Sequence, residues 1–411
     1  MQLAVRNHAV LDMARRFVYN KATSAKEQEL SIGKTKATGM KAGCVPVHST
    51  HRILAADARS MSSLAPDSVD LIVTSPPYPM IAMWDRLFSR LNPAIATALR
   101  KQDGSTAFEL MHHELDAAWR ECHRVLKPGG FACINVGDAV RTMGGTFQLF
   151  PNHARIGEAM RRAGFISLPD ILWRKQTNAP NKFMGSGMLP AGAYVTYEHE
   201  YILVFRKGGN RVFSSAAAKA LRRHSAFFWE ERNVWFSDVW TDLKGTVQKL
   251  TDEKTRSRSG AFPFELAFRL ILMYSLYGDT VLDPFLGTGT TSAAALAACR
   301  NSVGIETDTS LLPVIAASLS RAVDCGAERV KARLAAHRAF VAARTASGRP
   351  CAHRSRVYGC PVMTAQETEL TLYLPASLDC NPDGVYHAAY VRTDDRTVPC
   401  GSGSAESTGS P

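Results

Sequence analysis

The chain has no CxxC pair, and its nine cysteines (positions 44, 122, 133, 299, 325, 351, 360, 380 and 400) form an odd set. That argues against both a disulfide framework and a zinc site, and reads as reduced thiols in a cytosol-like compartment. No apolar run approaches the roughly 18 residues needed to cross a bilayer. The first 30 residues scatter their charge and hold no hydrophobic signal core, so neither membrane insertion nor export is expected. No internal repeat is found. His112 and His113 precede Glu114, but sequence neighbours do not share a helix face, so no metal is expected.

What is present is 411 residues with 45% apolar content, enough for a sizeable core in one large domain or two modest ones. The formal charge of +12 points to a polyanionic partner. Its distribution is uneven. Residues 1–60 hold ten Lys/Arg against four Asp/Glu, residues 206–258 twelve against six, and residues 346–411 only five against seven.

Five stretches follow from pattern. Residues 1–45 read as a basic arm rich in Lys, Gly, Thr and Ser toward its end. From 46 to 205, short apolar runs alternate with helix-spaced ones: Asp70 to Thr74 stops at Pro-Pro, Leu115, Trp119, Cys122, Val125 and Leu126 recur at helical spacing, and Tyr201 to Phe205 is wholly apolar. Between 206 and 260 periodicity fades, and basic residues mix with Phe227, Phe228, Trp229, Trp235, Phe236 and Trp240. The alternation resumes from 261 to 345, with a helix from about Ser310 to Ala322 and another helical stretch from Glu328 to Thr345. Residues 346–411 bring Gly, Pro and Ser and read as a low-complexity tail, with a strand hinted only at Leu370 to Leu374; deletion back to Thr345 should then be harmless. Strands and helices alternating in this way predict a doubly wound α/β sheet.

Two loops carry chemistry. The first is Asp283-Pro284-Phe285-Leu286-Gly287-Thr288-Gly289-Thr290-Thr291 after the apolar run Thr280 to Asp283. An Asp at a strand end repels phosphate, Lys is missing from the Walker position, and the full GxGxxG is not met, so a nucleotide-phosphate loop does not fit. A cofactor with a sulfonium and an ammonium, S-adenosylmethionine, suits that carboxylate better. Gly287 and Gly289 let backbone approach it, and Glu306, closing Val303-Gly304-Ile305-Glu306, is placed to accept both ribose hydroxyls.

The second loop is Thr74-Ser75-Pro76-Pro77-Tyr78. An exocyclic base amine is a poor nucleophile because its lone pair is delocalised into the ring. Acceptors aimed at both amino hydrogens draw the lone pair out toward the methyl sulfonium. The Ser75 hydroxyl and the Pro76 carbonyl are the candidate acceptors, Pro76 and Pro77 stiffen the loop, and Tyr78 would stack on a base swung out of the duplex. The cytosine C5 route needs a Cys nucleophile; Cys351 and Cys400 lie in the tail and read as ordinary turn residues. Asn135-Val136-Gly137-Asp138 ends a strand on the same side, where a polar group either touches substrate or caps the next turn.

With both loops in this order the chain resembles the β-group DNA amino-methyltransferases, over roughly residues 50–322. The resemblance implies a three-layer Rossmann-like fold with permuted motif order, a catalytic half at 46–205, target recognition at 206–260 and a cofactor half at 261–345. It also implies that Pro263, Glu265 and Leu266 open a helix beside the cofactor, that Asp57 contacts its adenine, and that Ser at position 75 goes with cytosine N4. Arg222, Arg223, His224, Lys244 and Arg256 become candidate DNA contacts, and Trp84 and Arg86 belong to a segment folding over the flipped base. The implied partner is double-stranded DNA, with a cognate restriction endonuclease as a family habit and either a monomer or a dimer. Adenine N6, a structured RNA substrate and an inert DNA-binding module remain open alternatives.

Overall fold

The computed structural model describes residues 48–175, 184–245 and 262–393. The basic arm and Arg256 lie outside them. Among the described residues an eleven-stranded sheet runs in the order Val239–Trp240, Ile171–Arg174, His199–Lys207, Leu126–Val136, Val69–Thr74, Thr280–Asp283, Asn301–Glu306, His48–Ala55, Val385–Arg392 and Tyr373–Cys380, with Phe165–Ser167 paired beside His199–Lys207. The five strands from Leu126–Val136 to His48–Ala55 are mutually parallel, and His199–Lys207 is antiparallel to its neighbours.

The central strands are buried on both faces, as their unbroken apolar runs predict. Alternate side chains divide the core in two. Ile72, Ala132, Ile134, Leu203, Phe205 and Leu282 face helices Gly104–Val125 and Asn152–Arg162. Leu71, Val73, Cys133, Ile202, Val204 and Val281 face helices Phe264–Tyr274 and Thr290–Ala297. Asp103 caps the first of these helices by accepting from Thr106 N at 3.0 Å. The helix after Val69–Thr74 thus covers one face and the helix after Thr280–Asp283 the other. The crevice between these two adjacent strands, at their carboxyl ends, is the switch point at which such sheets bind ligands.

Three expectations are corrected. The described part of the tail, to Thr393, is built into the sheet: Val385–Arg392 pairs antiparallel with His48–Ala55, and Tyr373–Cys380 pairs with it in turn. Its polar residues alternate with inward ones such as Ala388 and Tyr390, so average composition concealed two strands. The Tyr390 hydroxyl lies 2.6 Å from Ser49 Oγ and donates to Leu296 O at 2.8 Å, joining tail, first strand and cofactor-side helix. The two helices expected between Ser310 and Thr345 are one, Leu312–Ala346. By length and composition alone it could cross a membrane, although Arg321 and Asp324 interrupt its apolar residues. It packs one side against this fold, burying Ile315, Leu319, Val330, Leu334 and Arg333, the last paired with Glu231 at 2.6 Å.

The third correction concerns the stretch from 206. Three of its aromatic residues are not available as a recognition surface: Phe228, Trp235 and Trp240 are buried in the core, with the indole N–H groups of Trp240 and Trp173 donating to Trp235 O and Leu243 O, while Phe236 is exposed. Arg211 pairs with Asp279, which precedes the strand Thr280–Asp283, and Ser225 Oγ accepts from Tyr277 N. Helix Ala216–His224 therefore sits at the amino ends of the parallel strands. There Arg222 lies over the Phe213 ring, Arg223 pairs with Glu369 at 2.7 Å, and His224 O accepts from Thr371 N. All three are at the end of the sheet away from the crevice, so they are not contacts for a base bound there.

Truncation after Thr345 would unpair the edge of His48–Ala55 and bare the packing of Tyr390, Leu370 and Leu372. Such a chain is expected to aggregate or lose cooperative unfolding. Tyr390→Phe should cost about 1–3 kcal/mol in chemical denaturation, because it removes two buried hydrogen bonds.

Candidate active site

The crevice is built around one carboxylate. Asp283, 2% exposed, ends its strand between the two loops. Its Oδ1 accepts from Thr74 Oγ1 at 2.6 Å and from Phe285 N at 3.0 Å, and its Oδ2 accepts from Thr291 Oγ1 at 2.6 Å. Thr291 Oγ1 also lies 3.3 Å from Val73 O. Thr74 and Thr291 thus fasten the catalytic strand to the glycine loop. Burial, opposed by those hydrogen bonds, leaves the Asp283 pKa raised to about 6. A buried carboxylate under that pressure is stabilised by a nearby cation.

The loop leaves room for one. Gly287 has φ +55°, and a Cβ built there would find nothing nearer than Phe285 O at 4.0 Å. Gly289 has φ +87°, and a Cβ there would press within 3.2 Å of Ile315 Cγ2, so only glycine suits both backbone and packing. Glu306 Oε2 accepts from Gly287 N at 2.9 Å and Oε1 from Asp308 N at 2.8 Å; burial raises its pKa. Gly304, which the sequence reading passed over, lets Leu286 lie flat on the neighbouring strand, where a Cβ would meet it at 2.4 Å. Ala56 N donates to Glu306 O, and beside it lies an open surface depression of about 430 Å³ lined by Asp57, Arg59, His113, Glu114 and Arg120. The Asp57 carboxylate faces this depression but is itself paired with Arg59 at 2.8 Å. An open glycine loop with a carboxylate on each side, next to a polar depression, fits S-adenosylmethionine: Asp283 would meet its cationic end, Glu306 its ribose.

Across the crevice, Ser75 and Tyr78 are partly exposed while Pro76 is buried. Ser75 Oγ lies 3.0 Å from the Tyr78 hydroxyl, which also receives Asn135 Nδ2 at 3.0 Å and donates to Glu200 Oε2 at 3.1 Å. Asn135 Nδ2 donates to the same Glu200 oxygen at 2.7 Å, and Lys175 Nζ reaches Glu200 Oε1 at 2.8 Å. Gly137 permits this: a Cβ there would come within 3.2 Å of the Tyr78 ring. Asn152 Nδ2 ties the loop down by donating to Pro79 O and Gly137 O. Asp138 resolves as a positioning group, accepting from His153 N and Nδ1 and from the Tyr197 hydroxyl.

Glu200, Lys175 and Asn152 escaped the sequence reading. Glu200 begins an apolar strand, and only the antiparallel direction of that strand brings its first residues to the crevice; strand direction has no local signal. Lys244 also lies at this end, following Val239–Trp240, with Gly245 against the Lys175 side chain. Pro263 precedes helix Phe264–Tyr274 on the same side. Trp84 is half-buried against the first core face, and Arg86 is exposed on helix Asp85–Leu91, which an Asp85–Arg141 pair at 2.8 Å holds to the hairpin Ala139–Phe150.

The sequence profile of the DNA methylase family, N6 and N4 type, matches residues 69–317. The chain is 51% identical over 327 residues to the Type II methyltransferase M.MthZI of Methanothermobacter thermautotrophicus, covering 79% of this chain and 91% of that protein. It is 48% identical over 282 residues to M.MjaI of Methanocaldococcus jannaschii, covering 66% and 91%. Among solved structures it is similar to a protein of Thermus thermophilus, described as a DNA modification methylase and solved with S-adenosyl-L-methionine. That likeness has 34% identity and a TM-score of 0.52, over 66% of this chain and 96% of that one.

The Asp283 shift has a signed consequence. A carboxylate whose folded pKa lies above its unfolded value binds more protons in the native state, so its contribution to stability falls as pH rises from about 4 to about 6. Without cofactor, wild type should gain on Asp283→Asn as pH drops from 7 to 5, by about 1.3 kcal/mol. Paired thermal melts check this; a difference independent of pH would contradict it.

Proposed function

The chain belongs to the N6 and N4 DNA methylase family and takes its methyl group from S-adenosylmethionine, and from that premise we propose that it methylates N4 of a cytosine swung out of a specific duplex sequence. The observation that carries the choice of base is Ser75: the acceptor in the catalytic loop is a neutral hydroxyl, positioned by Tyr78, with no carboxylate in its place. In the resembling family a Ser at this position goes with cytosine.

When bound, the cofactor supplies an electrophilic methyl on sulfur. The chain's own groups do the rest. Asp283 and the loop to Thr291 hold the methionine end, Glu306 takes the ribose hydroxyls in exchange for its bond to Gly287 N, and the adenine enters the depression beside Asp57. Ser75 Oγ and the Pro76 carbonyl accept the two amino hydrogens, so the nitrogen lone pair turns toward the methyl. Tyr78, mostly buried with its hydroxyl fastened, offers part of its ring for stacking on the extruded base. Lys175 and Lys244, at the crevice rim, meet backbone phosphate. Trp84 and Arg86 belong to the segment that closes over the base. The Type II methyltransferases among its relatives favour a role beside a restriction endonuclease.

Incubation with labelled cofactor and unmethylated DNA, followed by digestion to nucleosides and mass spectrometry, tests the base. N4-methylcytosine is expected, and Ser75→Ala should lower the rate about 100-fold. N6-methyladenine would overturn the cytosine reading.

A further inference from the structure

We propose that Glu200 is a positioning residue that sets the direction of the Ser75 hydroxyl through Tyr78, and that the same chain of groups takes up the proton the target amine sheds. Nothing in the catalytic loop itself determines which way Ser75 points its hydrogen. A hydroxyl that donates toward the base would repel the amino group it must polarise.

The geometry fixes the direction from the far end. Lys175 lies 2.8 Å from Glu200 Oε1, so the Glu200 carboxylate is paired with a cation on one oxygen and faces Tyr78 as an acceptor with the other. Tyr78 therefore donates along its 3.1 Å contact to Glu200 Oε2, the nearer of the two acceptors it reaches, with Asn135 O at 3.5 Å. Burial first, and the Glu200 charge second, push the Tyr78 pKa well above 10, which keeps that proton in place. Asn135 supports the arrangement, donating to both oxygens from one nitrogen. With its only proton committed, the Tyr78 oxygen can only accept from Ser75 at 3.0 Å. Ser75 then turns its lone pairs outward, toward the place where the amine arrives.

The path balances without a co-reactant. The N–CH₃ bond forms as the S–CH₃ bond breaks, and the nitrogen becomes cationic. One of its protons passes to Ser75 Oγ as the Ser75 proton moves to the Tyr78 oxygen and the Tyr78 proton to Glu200 Oε2. Glu200 ends neutral and returns its proton to solvent beside the half-exposed Lys175. The inference rests on amino-methylation but not on the base, because adenine N6 loses the same proton.

Glu200→Gln keeps size and shape but can offer an N–H to Tyr78, which reverses every donor in the chain. Tyr78→Phe keeps the ring and removes the link. Single-turnover methyl transfer to DNA, with cofactor affinity measured alongside, separates direction from folding. Each variant is expected to lose at least about tenfold in rate, with cofactor Kd and DNA KM within about twofold of wild type. The double variant should be no slower than the slower single one, because both act on one link. Glu200→Asp, still an acceptor, should recover part of the loss. Wild-type rate in Glu200→Gln, multiplying losses in the double variant, or a loss confined to KM would each overturn the proposal. The nucleoside formed by wild type in the same assay reports base choice separately, so one reading can fail without the other.

Discussion

Asp283 has to be buried, and the architecture around the site follows from how that charge is accommodated. Its strand ends in the middle of the sheet, where water is excluded on both faces. Two threonine hydroxyls and one backbone amide supply its hydrogen bonds, each to a charged group and each worth about 1.5–3 kcal/mol. One threonine ends the catalytic strand and the other lies in the first turn of the cofactor-side helix. The bonds that solvate the carboxylate therefore also hold together two loops about two hundred residues apart in the chain. The remaining imbalance, seen in the raised pKa, is what the sulfonium and ammonium of the cofactor would correct under the proposed reading.

The sheet places these groups without further devices. The helices after the two central strands leave to opposite faces, so their loops diverge and a crevice opens between them. On one side glycines expose backbone; on the other, prolines keep the loop stiff. The antiparallel strand His199–Lys207 then delivers Glu200 to the crevice from the opposite direction. At the far edge the C-terminal strands cover His48–Ala55, the strand that leads into Asp57. Ordering of the cofactor pocket is in this way linked to a segment whose composition hides its role.

The parts of the molecule legible in sequence are those whose signal is local. The strand ends at Asp283 and Glu306, the Ser-Pro-Pro-Tyr turn and the helix through Leu115 and Trp119 are set by residues within a few positions of one another, and the structure brings both loops and Glu306 to one edge of one sheet. What sequence hid depends on distant pairing. Tyr390 is buried with its hydroxyl donating to Leu296 O and bonded to Ser49 Oγ, and Arg222 and Arg223 are drawn to Phe213 and Glu369 at the wrong end of the sheet for a base-reading role. The aromatic run from Phe227 to Trp240 looked like a nucleic-acid surface because charge and rings alternate there, but three of its rings fill the core.

If Asp283 is the counter-charge awaiting the cofactor, binding must strip it of any proton it carries. Calorimetric titration of S-adenosylmethionine at pH 6, in two buffers of different ionisation enthalpy, measures this most directly. With a pKa of about 6, release of about half a proton per cofactor bound is expected in wild type and none in Asp283→Asn. Tight binding by wild type with no proton released would contradict the role given to that carboxylate.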